Sequence, residues 1–217
     1  MDHTINYIKH TKAIEVVGLL QAPDGYQSTQ VSALISKANN WATSLTSKKS
    51  PRHLAWLNFN CCIWRSIAYP LPALSLSISH SDTIAKALLQ TTLPIMGVER
   101  SFPNTMRFSP KTFFGLGLPY PRTENGISKI AIWIRHSSSN TILGLWFRIS
   151  YEYLMLEINQ PGCLFAVDFT KWAFLATECW IKDLWKFVWD HNIVLTPPMM
   201  ATLHIQRIND RFLMPWF

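Results

Sequence analysis

The sequence predicts a mainly α-helical fold, a bundle of about six helices with a small β element near the N-terminus. Three observations carry this. Apolar residues recur at i, i+3, i+4 and i+7 in one segment after another. Proline, glycine and serine clusters fall between those segments, where helices must stop. Apolar residues make up 48% of the 217 positions against 15% charged, enough for a core and too apolar for bulk disorder. The length suits one large domain or two small ones.

Residues 13–20 form a short apolar β-type run, closed by the turn signal Pro23-Asp24-Gly25. A first helix follows, with Ser28 as N-cap and Val31, Leu34, Ile35, Ala38, Trp41, Ala42 and Leu45 on one stripe. Lys37 falls off that stripe, toward water. After the basic loop Ser47-Lys48-Lys49-Ser50, Ser50-Pro51 opens a second helix that runs to about Tyr69, where Pro70 prevents continuation. Being apolar nearly all round, this helix is expected at the centre of the bundle, with Cys61 and Cys62 as small buried hydrophobes.

Ser79 or Ser81 caps a third helix carrying Ile84, Ala87, Leu88 and Thr91, ended by Pro94 and Gly97. Residues 98–122 read as a long ordered loop with short extended pieces. Thr123 opens a fourth helix with Ile127, Ile130, Ala131 and Ile134 inward. The segment His136-Ser-Ser-Ser-Asn140 is the best linker. Ile142, Leu145, Trp146, Ile149, Tyr153 and Leu156 mark a fifth helix, ended near Pro161-Gly162. Residues 171–190 form a sixth, with Trp172, Leu175, Ala176, Cys179, Leu184 and Phe187 inward. Beyond Pro197-Pro198 lie a short apolar run, Leu203 to Ile205, and a turn near Asp210.

The formal charge of +7 is unevenly spread. From Tyr26 to Ser150 there are thirteen Lys and Arg against three acids, whereas residues 151–217 hold five basic and seven acidic side chains. A middle this basic suits a polyanion, or else forms a solvated basic face without a partner. Four cysteines without Cys-x-x-Cys spacing argue against a disulfide framework and a zinc site. Met1-Asp2-His3-Thr4 lacks the pattern of a signal peptide, and the longest apolar stretch is interrupted by Asn58, Asn60, Arg65, Pro70 and Pro72. The chain is therefore expected to be soluble and intracellular, in cytoplasm or nucleus.

Catalytic chemistry is not written in this chain. No two aspartates are adjacent, so the clustered carboxylates of a two-metal polymerase site are missing. Asp183 and Asp190, seven apart, read as solvated positions paired with Lys182 or Lys186. Gly115-Leu116-Gly117 lacks a third glycine, and no Gly-x-Ser-x-Gly or Gly-Lys-Ser occurs. No catalytic residue, metal ligand or cofactor is expected.

Binding chemistry is more visible. Lys48, Lys49 and Arg52 cluster at a helix N-terminus, where free N–H groups favour phosphate. Arg100, Arg107 and Lys111 are interleaved with Phe102, Phe108, Phe113 and Phe114, which suits phosphates and stacked bases, although Phe113 and Phe114 also fit a core. Arg65, with no acid within a helical turn, either pairs internally or joins Lys48, Lys49 and Arg52 along a groove that tracks a nucleic-acid backbone.

In order, these features resemble the region that follows the catalytic palm in reverse transcriptases of retroelements without long terminal repeats. Val17-Gly18-Leu19 and the helix to Leu45, then Arg65 with Tyr69-Pro70-Leu71, then Phe114-Gly115-Leu116-Gly117 follow that family's series over residues 13–136. Trp180-Ile181-Lys182-Asp183-Leu184-Trp185 and Ile208-Asn209-Asp210 look like the further C-terminal extension of such elements. Fingers, palm and the Asp-Asp turn are missing, and Phe114 stands where glycine is usual. The resemblance implies a thumb-like basic helical region over 1–136, a helical extension over 141–217, and a non-catalytic, truncated or decayed reading frame. It implies sequence-independent binding of RNA or an RNA–DNA hybrid. The alternatives are a helical protein-interaction module, suggested by Trp172, Trp180, Trp185, Trp189 and Trp216-Phe217, or a product without function.

Overall fold

A computed structural model describes residues 12–22, 25, 27–160 and 162–195. Within them the protein is mainly helical, with one two-stranded antiparallel sheet near the N-terminus. The expectations for Pro23, Asp24, Pro161, the run beyond Pro197 and Trp216-Phe217 lie outside the described residues. Two compact units divide at Asn125/Gly126, upstream of the His136–Asn140 segment.

The first unit begins with β1 (Ile14–Val16) and β2 (Leu19–Gln21), paired with Ile14 opposite Gln21 and Val16 opposite Leu19. The single run read from the sequence is thus a hairpin. Its turn residues, Val17 and Gly18, both have positive φ, 51° and 77°. That geometry matches the twist of the strands but is costly for a β-branched residue. The Tyr69 hydroxyl donates to the Val17 carbonyl at 3.0 Å and holds it there.

Helix α1 (Ser28–Ser47) buries Val31, Leu34, Ala38, Ala42 and Leu45, and Lys37 is exposed, as the stripe requires. Ser28 is the first helical residue and not the cap. Gln27 takes the cap position without a capping bond, and its Oε1 accepts the Ser75 N–H at 2.6 Å.

The next helix departs from its expected burial. α2 (Arg52–Asn58) passes through a π-helical turn (Phe59–Ile63) into α3 (Trp64–Ala68). Ala55, Phe59, Ile63 and Ile67 are buried at a strict interval of four. Four residues overshoot an α-turn of 3.6, and the wider π-turn absorbs the drift. One face only is covered; Leu54, Leu57, Cys61, Cys62 and Tyr69 face solvent. The expectation of burial all round, and of buried cysteines, is corrected accordingly.

A 3-10 turn at Leu71–Ala73 leads to α4 (Ile78–Leu89), capped by Ser77, whose Oγ accepts the His80 N–H. Ser79 and Ser81 lie inside the helix. α5 (Thr92–Ile95) ends at Gly97, φ +79°. Residues 98–122 hold α6 (Asn104–Phe108) and a 3-10 turn at Lys111–Phe113 where extended pieces were expected. α7 (Pro121–His136) begins two residues before the expected Thr123. Its Asn125 side chain donates to the carbonyls of Leu71 and Leu74. Leucine, isoleucine, valine and alanine dominate this core, with Phe59 its fully buried ring.

The second unit is built differently. α8 (Ile142–Ile158) is capped by Thr141 and ended by Asn159 in the left-handed region. A 3-10 turn at Leu164–Ala166 precedes α9 (Phe169–Trp172) and α10 (Trp180–Asp190). The single helix expected over 171–190 is therefore broken. Glu157 explains where: its carboxylate accepts both the N–H and the hydroxyl of Thr177, drawing the chain out of helix. Leu175, expected inward, is exposed.

On α7 the expected inner face is also corrected. Ile127, Ala131 and Ile134 are exposed, while Lys129 and Trp133 are buried. Trp133 decides this, because it packs against Phe147, Tyr151 and Phe165 with ring centroids 5.4–5.8 Å apart. Gly126 permits the close approach: a β-carbon there would lie 2.3 Å from the Phe187 ring.

Candidate nucleic-acid interface

Arg52 leads the basic residues by position, but it has other work. Its Nε donates to the Met96 carbonyl at 2.9 Å and its Nη2 lies 3.4 Å from the Gly97 carbonyl. Trp56 Nε1 donates to the same Met96 oxygen at 2.9 Å. Arg52 therefore satisfies carbonyls left open at the end of α5. A β-carbon on Gly97 would meet its guanidinium at 2.2 Å, so the glycine makes room for it.

Several other cations sit where helix dipoles favour them. Lys48 is the C-cap of α1, and Arg65, Lys86 and Arg107 occupy the last turns of α3, α4 and α6. Positive charge at a helix C-terminus is stabilising without any ligand. This accounts for part of the basic middle region by fold alone. Lys49 follows Lys48 with φ 46°. Both lysines thus close α1, whereas the sequence placed them at the start of α2. Arg65 is exposed, which removes the reading of a buried ion partner. Thirteen residues separate it from Arg52, about 20 Å of helix at 1.5 Å per residue, so the two cannot grip one phosphate.

The loop after α6 has the clearest binding geometry. The Arg107 guanidinium donates to the Arg100 carbonyl at 2.5 Å, bringing those two chain positions together. From there the backbone is tied repeatedly: Leu116 to Met106, Leu118 to Arg107, Gly117 to Ser109, and both Phe113 and Gly115 to Pro110. Gly115 is obligatory, since a β-carbon would lie 2.0 Å from the Ser109 oxygen. On this hydrogen-bonded frame Phe113 and Phe114 are 72% and 91% exposed. The core reading of these two rings is thereby corrected. Phe114 stands at φ 60°, in the left-handed region. Lys111, three residues before it, is exposed too, as is Arg100. Phe102 and Phe108 are half-buried, and Phe108 packs on Tyr120 at 5.0 Å.

Titrating groups sit mostly elsewhere. Burial, then the hydrogen bond and charge of Asp82, push the Tyr120 hydroxyl up to about 12. Lys129 is 1% exposed and its ammonium lies 3.3 Å from Asp183 and 5.7 Å from the centre of the Trp180 ring. Burial lowers its pKa, opposed by Asp183. Asp183 thus pairs across to another helix and not with Lys182, which instead bonds Glu178 and the Ala176 carbonyl. A lysine 54 positions away leaves no local pattern, so this pair is not legible in the sequence. Among the described residues, no three His, Cys, Asp or Glu side chains converge as metal ligands, and no helix is long and apolar enough to cross a membrane. A recess of about 180 Å³ between the hairpin and α1, lined by Glu15, Gln30, Leu34 and Lys37 among others, is small for an organic substrate.

No protein-family model, curated protein sequence or solved structure matches this chain.

Proposed function

We propose that this protein binds RNA or an RNA–DNA hybrid through the phosphate backbone and unstacked bases, without sequence preference and without catalysis. The observation that supports it is the pair Phe113–Phe114, displayed on a hydrogen-bonded loop that also carries the exposed Lys111, with the exposed Arg100 in the same unit. Exposed rings cost an isolated chain apolar surface in water, and next to cations they offer base stacking and phosphate contact together. Lys48, Lys49 and Arg65 are further exposed cations of the same unit, whereas Arg52 and Arg107 are engaged by the fold. The ordered resemblance to the post-palm region of retroelement reverse transcriptases supports the same reading, and implies action inside the cell.

A filter-binding titration on structured RNA at two salt concentrations tests this. Affinity should fall steeply with salt as counterions are released. Replacing Phe113 and Phe114 together by alanine should weaken binding about 30-fold or more, at about 1–3 kcal/mol per stacked base. Absence of binding at low salt, or binding that ignores salt, would sink the proposal. For the competing reading, a helical interaction module, Trp185 is fully buried and Trp180 stacks on Phe147 at 4.8 Å, while Trp172 and Trp189 are half-buried. That reading gains other residues on α8.

A further inference from the structure

Helix α8 is apolar on both sides, and the fold uses one. Gly144, Phe147, Tyr151, Leu154, Met155 and Ile158 are buried. On the opposite side Ile142, Trp146, Ile149, Tyr153 and Leu156 are 47–78% exposed. Their spacing is four, three, four, three, the a/d pattern of a helix seam. At about 100° per residue they fall within an arc of roughly 80°. Leu143 and Leu145 extend this surface at its N-terminal end, and Glu152 and Glu157 border it at the C-terminal end. No charged side chain lies on the stripe itself.

We propose that this face pairs with the same face of a second copy of the chain, the two α8 helices running antiparallel about Ile149. Self-pairing is argued first from pattern, because a seam of this spacing presents knobs to the holes of an identical seam. It is argued next from charge. A parallel pair would set Glu152 of one copy beside Glu157 of the other, twice, and like charges there repel. An antiparallel pair puts each glutamate near the leucines and the positive N-terminal end of the opposing helix. It is argued last from area. The seven exposed side chains present on the order of 700 Å² per copy, against about 800 Å² per partner in a standard interface. Thr141 and Asn159 fix both ends of the helix, so little order has to be gained on pairing.

Sedimentation velocity of the full chain over a concentration series tests the pairing. A reversible dimer is expected in the micromolar range. Ile149 lies on the two-fold axis, so Ile149→Glu sets two carboxylates against each other and should weaken dimerisation by at least about 30-fold, the effect of losing a 2 kcal/mol hot spot. Because Ile149 is exposed in the monomer, far-UV circular dichroism should be unchanged. Orientation is read by disulfide trapping: mixed Ile142→Cys and Leu156→Cys chains should cross-link to each other. Ile142→Cys cross-linking to itself would overturn the antiparallel register. A chain that stays monomeric overturns the pairing. Should that monomer float with liposomes, the face belongs to a lipid surface; should Trp146 resist quenching in it, another segment of the same chain covers it. An Ile149→Glu variant that dimerises normally overturns the proposal equally. None of these outcomes depends on RNA binding.

Discussion

The two units solve the problem of buried polarity in opposite ways. The first, to Asn125, packs an aliphatic core and ties its connections with neutral amides and two guanidinium groups, of Arg52 and Arg107, on backbone groups. Gln30 holds the Leu20 N–H, Gln27 the Ser75 N–H, Asn125 the carbonyls of Leu71 and Leu74, and Arg52 that of Met96. The second packs rings around Trp133 and Trp185 and buries two lysine stems, Lys129 and Lys182, each with an acid at its tip. The second unit also holds its α9–α10 connection through Glu157, whose carboxyl Thr177 keeps below its ordinary range, and the comparison teaches that this connection, unlike the amide ties of the first unit, responds to acid.

Removing Trp133 gives the largest contrast. Trp133→Ala deletes the ring on which Phe147, Tyr151 and Phe165 converge and should cost about 3–5 kcal/mol. Hydrogen exchange should show the loss in the second unit while amides of α1 and α4 keep their protection. Loss in both units alike would erase the distinction between them. Trp133→Phe should cost visibly less, because it also removes an indole N–H that is buried without a partner.

Asp183→Asn comes next. It leaves the Lys129 ammonium without its counter-charge and should destabilise the second unit by about 3 kcal/mol, measured by urea denaturation. Lys129→Met takes the ammonium away from the Asp183 carboxylate instead, which is a quarter exposed and can be hydrated, so it should cost less. If both substitutions cost the same, the pair is not acting as a buried ion pair. In the first unit the counterpart is Asn125→Ala, which strands two carbonyls and should cost about 2 kcal/mol. That loss should be the same at pH 5 and pH 8.

The smallest effect is the acid limb of the second unit. Partial burial would raise the Glu157 carboxyl, but hydrogen bonds from Thr177 and Tyr153 and the charge of Lys182 outweigh it and hold the pKa below the usual value. Its folded pKa is depressed, so its contribution is present above the unfolded value and is lost as pH falls through the folded one. Thermal melts should show a fall in stability below the ordinary glutamate range, and Thr177→Val should flatten it. An unchanged acid limb in Thr177→Val would dissociate the effect from this contact.

How far these features were legible follows from the same physics. α1 reads correctly because one face is apolar and the other polar, so periodicity and burial agree at Val31, Leu34, Ala38 and Leu45. α8 has apolar residues on both faces; the sequence locates the helix but cannot choose its inner side, and the residues that mark its period are the exposed ones. On α7 Ile127, Ile130 and Ile134 form a convincing stripe, yet only Ile130 packs on the core, because the helix turns to bury Trp133. The break between α9 and α10 carries no proline or glycine, since its cause is Glu157, twenty residues away from Thr177. In the candidate interface, the cations were visible as composition. Which of them the fold uses, such as Arg52 on Met96, depends on contacts 44 positions apart that no local pattern encodes.

The π-helical turn at Phe59–Ile63 bears on how this chain takes a change of length. A turn of this kind is what an α-helix does with one surplus residue, letting it swell outward while both flanks keep their register. Removing one residue there, such as the exposed Asn60, returns the segment to ordinary α-helical pitch and leaves Ala55 and Ile67 facing the same core. A single-codon deletion is thus tolerated at that turn, whereas in the middle of α1 it would turn every later side chain by about 100°. The surplus residue is carried on the solvent side, and the core keeps one unbroken row from Ala55 to Ile67.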